Sequence, residues 1–167
     1  APRSSGGGTR NNLIGISTSL SFLSNSVTTK STTTFEVDAR YGWNQGFMEY
    51  GPIGRIVYSS TEGRTTRDLT GGAFFDFNFI ENVPGVATIY GVGAEATFGQ
   101  NSETIGNTET SSSLMTFFGG GNAKWFGLND TLAIRGDVGA SYARYTTTAA
   151  STNNVGLLIK VGLGVYF

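Results

Sequence analysis

The chain contains no cysteine and no histidine. The first absence excludes a disulfide framework and a thiolate metal site. The second removes the commonest general base and the commonest imidazole ligand for a metal. Charge is sparse as well: Asp, Glu, Lys and Arg make up 14% of residues, against roughly 25% in an ordinary soluble domain. Eleven basic and 12 acidic residues give a net charge of −1, so there is no basic footprint for nucleic acid and no acidic tail. No apolar run approaches the roughly 18 residues of a membrane-crossing helix. The opening APRSSGGGTR lacks the apolar core of a signal peptide. Residues 1–11 therefore read as a flexible leader and residues 12–167 as one domain.

What the chain does have is 25 glycines, abundant Ser and Thr, and a repeated two-residue alternation. In a strand, successive side chains point to opposite faces. Sorted this way, Val155, Leu157, Ile159, Val161, Leu163, Val165 and Phe167 share one face of the last stretch, while Gly156, Leu158, Lys160, Gly162, Gly164 and Tyr166 share the other. Similar splits begin near Ile14, Phe35, Met48, Leu69, Val86, Met115 and Leu132, which predicts about eight strands of roughly 10 to 14 residues, long enough to span a bilayer when tilted. Tight turns are predicted near 44–46, 81–85 and 127–130. Four longer polar loops are predicted between them: SNSVTTKSTT, SSTEGRTTRD, QNSETIGNTETSSS and YTTTAASTNN. Such a chain of hairpins predicts an all-β, closed, antiparallel up-and-down eight-stranded transmembrane barrel.

The faces distinguish this from a soluble barrel. The polar face is made of Gly, Ser and Thr with isolated charges of both signs, whereas a soluble exterior is crowded with Lys and Glu. On the apolar face, aromatics gather at both ends. Tyr41, Trp43, Tyr50, Phe77, Phe79, Trp125 and Phe167 lie toward the short turns, and Phe22, Phe35, Tyr58, Phe98, Phe117 and Tyr142 lie toward the long loops. Two aromatic belts mark the two membrane interfaces. The final KVGLGVYF resembles the C-terminal assembly signal of bacterial outer-membrane proteins, with Lys160, Gly162, Val165 and Phe167 in the expected places. Together these features resemble the small eight-stranded outer-membrane barrels of the OmpA transmembrane-domain, OmpX and opacity-protein kind. That resemblance implies the outer membrane of a Gram-negative bacterium, with periplasmic termini and extracellular long loops. It also implies lipid and lipopolysaccharide as surroundings, passage through the barrel-assembly machinery, and a monomer that binds no nucleic acid.

Parity places eleven charged residues inside: Glu36, Asp38, Arg40, Glu49, Arg55, Asp76, Glu95, Lys124, Arg135, Asp137 and Lys160. Charges within a protein wall must be paired or solvated. Pairing across a turn at 44–46 would set either Arg40 opposite Glu49 or Glu36 opposite Arg55. An eight-stranded lumen is only wide enough for side chains, so the charges predict a polar filling and a structural or surface-interaction role exercised through the loops. The alternative is a narrow pore for ions or small solutes in which the same salt bridges act as a gate. No catalytic residue, metal or cofactor is expected. Glu36 and Asp38 share a face as a hydrolytic pair would, but Arg40 follows at the same spacing and a charge ladder is the simpler account. The run GVGAEA at 91–96 loosely matches a dinucleotide fingerprint yet lies in a strand and opens no helix.

Overall fold

Eight strands follow one another in chain order: β1 (Asn12–Phe22), β2 (Thr33–Asn44), β3 (Met48–Thr61), β4 (Arg64–Asn78), β5 (Thr88–Ile105), β6 (Thr108–Trp125), β7 (Leu132–Thr146) and β8 (Ser151–Tyr166). Each pairs antiparallel with its neighbour, and β8 returns to pair with β1, closing the barrel. The computed structural model describes residues 10–22, 33–61 and 63–167. Closure accounts for the alternation running to the last residue: Asn12 N–H donates to the Phe167 carbonyl at 2.8 Å, and Phe167 N–H donates back at 3.0 Å. Neither edge strand is left with a free row of backbone groups along this ladder.

The wall is inside-out relative to a soluble barrel. Ile16, Phe35, Leu69, Phe98, Leu157 and Leu163 are all more than half exposed on the outside, while the eleven charged residues named above are all buried. Tyr41, Trp43, Tyr50, Phe77, Phe79, Trp125 and Phe167 lie on the outer wall toward the 45–47 end, and Phe35, Tyr58, Phe98 and Phe117 toward the other end. Tyr142 is half-buried, its ring 6.4 Å from that of Phe117. The Phe22 side chain lies outside the described residues.

Two expectations are corrected. The β2–β3 turn is centred on Gly46–Phe47 rather than on 44–46. Gln45 N–H donates to the Met48 carbonyl at 2.8 Å, and Gly46 takes the left-handed φ of 76° that the turn requires. This shift sets Asp38 opposite Arg55 and Asn44 opposite Glu49, so neither expected charge pair is in register. Three of the four predicted long loops are instead strand. The hairpins β3–β4, β5–β6 and β7–β8 continue to turns at Gly63, 106–107 and 147–150, with Arg64 opposite Ile105 and Ile105 opposite Thr108. Beyond the aromatic belt both faces of a hairpin meet water, so no apolar alternation marks it. Threonine suits a strand all the same, because its branched Cβ fits the pleated surface. The first loop, SNSVTTKSTT, lies outside the described residues except for Thr33.

Candidate functional site: the barrel interior

The interior is filled in layers from the 45–47 end upward. At the mouth, the 79–87 connection folds inward. Asn82 N–H donates to the Gly46 carbonyl at 3.0 Å, and its Nδ2 reaches Glu49 Oε1 at 2.7 Å. Arg10, grouped with the leader by composition, is buried there. It donates to the Asp130 carbonyl (2.6 Å), Asn82 Oδ1 (3.1 Å) and the Val86 carbonyl (3.1 Å), and its guanidinium lies 3.5 Å from the Phe126 ring centre. Burial lowers the Arg10 pKa from its ordinary value, and the neighbouring Asp130 carboxylate opposes that shift. Above it, Leu13, Ile53, Phe74, Ile89, Phe126, Ala133 and Tyr166 form an apolar cluster inside the barrel.

Two ion clusters follow. In the lower one, Lys124 Nζ contacts Glu49 Oε1 at 2.7 Å, Asn78 Oδ1 at 2.8 Å and Asp76 Oδ2 at 3.4 Å. Arg135 bridges Asp76 and Asp137, and Tyr166 donates its hydroxyl to Glu49 Oε2 at 3.0 Å. Three carboxylates face Lys124 and Arg135, while Arg10, ion-paired with Asp130 at 3.2 Å, is linked to Glu49 through Asn82. In the middle cluster Lys160 contacts Asp38 at 2.8 Å and Glu95 at 2.5 Å. Arg55 reaches Asp38 (2.6 Å), Glu95 (2.9 Å) and Glu36 (3.3 Å), and Arg40 reaches Glu95 at 3.0 Å. Here three cations meet three carboxylates.

Such clusters are stable only if nearly every charge is compensated, because desolvating an ion costs several kcal/mol. The small inward residues make room for them. A Cβ added at Gly93 would lie 2.3 Å from Asp76 Oδ1, and one at Gly15 would lie 3.0 Å from the Arg40 side chain. Glu36 and Asp38 do not converge as an acid–base pair; both turn toward Arg55. Above the middle cluster the hydroxyls of Thr70, Thr97 and Thr116 are linked at 3.1 and 2.6 Å. Beyond them opens a cavity of about 530 Å³ at the 106–107 end, with Arg55, Thr70, Leu114, Thr116 and Leu158 among its lining residues.

Neisserial surface protein A has a solved structure that superposes with a TM-score of 0.66 at 13% identity, covering 96% of this chain and 99% of that one. The N-terminal β-barrel domain of Pseudomonas aeruginosa OprF superposes with a TM-score of 0.56 at 11% identity, covering 96% and 100%. The fold is that of the small eight-stranded outer-membrane barrels. The chain matches no family model and no curated protein.

Within this outer-membrane barrel fold, the last-strand residues Lys160 and Gly162 face inward, the latter against Ser17, while Val165 and Phe167 face outward. Sequence reasoning missed Arg10, Asn82 and Phe126. All three lie outside the strands, where strand parity carries no information. The signal that could have found Phe126 is a large aromatic residue within a short turn.

Proposed function

We propose that the protein is an integral outer-membrane barrel whose lumen is closed by its own side chains and whose role is structural or surface-interacting, through the hairpins that project beyond the outer aromatic belt. The observation that carries this reading is the inside-out wall. Isoleucine, leucine, valine and aromatic side chains are exposed all round the outside, and the charge network is buried within. That arrangement is unfavourable in water and favourable in lipid. The fold shared with Neisserial surface protein A and the OprF barrel supports the same membrane.

On this reading the termini and the 45–47 end face the periplasm, and the projecting hairpins face outward. The chain works as a monomer, reaches the membrane by way of the barrel-assembly machinery, and catalyses no reaction. A gated pore would require the Arg55 and Lys160 bridges to part while the Leu13–Phe74–Tyr166 cluster also yields, so we place it second.

The two tryptophans, Trp43 and Trp125, offer a direct test, since both sit on the outer wall. Refolded into vesicles whose acyl chains carry bromine, the protein should lose most of its tryptophan fluorescence. Unquenched fluorescence, together with a protein that stays soluble and monomeric without detergent, would overturn the membrane reading.

A further inference from the structure

The cavity at the 106–107 end is open to solvent at its rim and closed below by the hydroxyl layer and the middle ion cluster. Its volume, about 530 Å³, lies within the range of roughly 300–1,000 Å³ typical of small-molecule sites. Hydroxyl and amide side chains line it beside Val57, Leu114, Phe117 and Leu158, a surface that suits a ligand carrying both polar groups and methylene segments.

Its charges are unevenly used. Arg55 at the floor is already shared by Asp38, Glu95 and Glu36, and Arg64 at the rim is taken by Glu103 at 2.7 Å. Asp68 on the wall has no ion-pair partner among the described residues. Its Oδ1 accepts from Asn101 at 2.5 Å, and Asn101 Oδ1 in turn accepts from Ser112 at 3.1 Å. A hydrogen-bonded relay thus holds this carboxylate in place and leaves its second oxygen for the cavity. Tyr145 and Asn154 line the same space and make no side-chain hydrogen bond to a described residue.

We infer that this vestibule binds a small organic cation of the polyamine or amino-sugar class, its ammonium against Asp68 and its remaining polar groups against Tyr145 and Asn154. An inorganic cation fits less well, since among the described residues no three carboxylates gather as a metal site. An anion would meet Asp68 and Glu36 with both nearby arginines already committed. The inference rests on the cavity and its charges, and it holds whether or not the proposed cellular role is right.

The test is calorimetric titration of the detergent-refolded barrel with spermidine at low ionic strength, with glutamate and the neutral trisaccharide raffinose as comparison solutes. Spermidine should bind, and Asp68→Asn, shown to be folded by its heat-modifiable gel mobility, should bind it at least about tenfold more weakly. Thr66→Lys, which carries an ammonium into the same cavity, should weaken binding as well and serves if the Asp68 variant does not fold. No spermidine binding up to about 10 mM, equal binding by the folded variants, or tighter binding of raffinose or glutamate would overturn the inference.

Discussion

The barrel half nearest the 45–47 turn and the half nearest the 106–107 turn are made of the same strands, yet their interiors differ. The first is closed: Arg10, Asn82 and Phe126 cover the mouth, an apolar cluster lies behind them, and two hydrogen-bonded ion clusters fill the remaining space. The second is open, with a layer of threonine hydroxyls giving way to the 530 Å³ cavity. The difference teaches where interior charge belongs in such a barrel. Inside the belt-to-belt span, lipid surrounds the wall and each ion needs a partner within it. Above the outer belt, water can solvate a side chain, and the Arg64–Glu103 pair there is substantially exposed.

This contrast can be broken by substitution. Arg135→Met, which leaves Asp137 without a cation and Asp76 with Lys124 alone, should destabilise the barrel most, by about 3–5 kcal/mol in urea unfolding from lipid vesicles. A loss below about 1 kcal/mol would mean that water reaches the lower cluster. On the outer wall of the same half, Val161→Lys should cost about 2–4 kcal/mol in the same assay, whereas Lys at Ser111 on the projecting β5–β6 hairpin should cost almost nothing. Equal costs at the two sites would erase the assigned membrane boundary. Arg10→Ala should cost about 1–3 kcal/mol, since it removes several charge-assisted hydrogen bonds from a buried site. If Arg10→Ala is as stable as the parent, the mouth is not closed by this side chain. The smallest effect belongs to the open half: Arg64→Gln should change stability by less than about 1 kcal/mol, and by still less in high salt.

How much of this could be read from the sequence also follows the division. Strand parity in the span separated Lys124, Asp137 and Lys160 from Trp125, Val138 and Val161, because only one of the two faces is apolar there. The same rule failed above the belt, where Thr104 to Thr110 alternate nothing that hydropathy can detect. It could not place the β2–β3 register either, because that depends on which two residues adopt the turn, and Gly46 is compatible with either position. The partners within the clusters were beyond reach for a different reason. Arg40 meets Glu95 from a strand three places away around the barrel, and lumen-crossing contacts of that kind depend on side-chain length and on the space left by Gly15 and Gly93. Arg10 was illegible because it precedes the first strand, where there is no period to read.

The central claim is that the span is closed by its own side chains, and current across a planar bilayer tests it most directly. The refolded protein, shown to be inserted by protease protection, should pass no steady single-channel current at neutral pH. Arg10→Ala should remain silent as well, because the apolar cluster and both ion clusters lie behind the mouth. A steady conductance in the parent protein that changes when Arg55 or Lys160 is replaced by Met would contradict the account and make the middle cluster a gate.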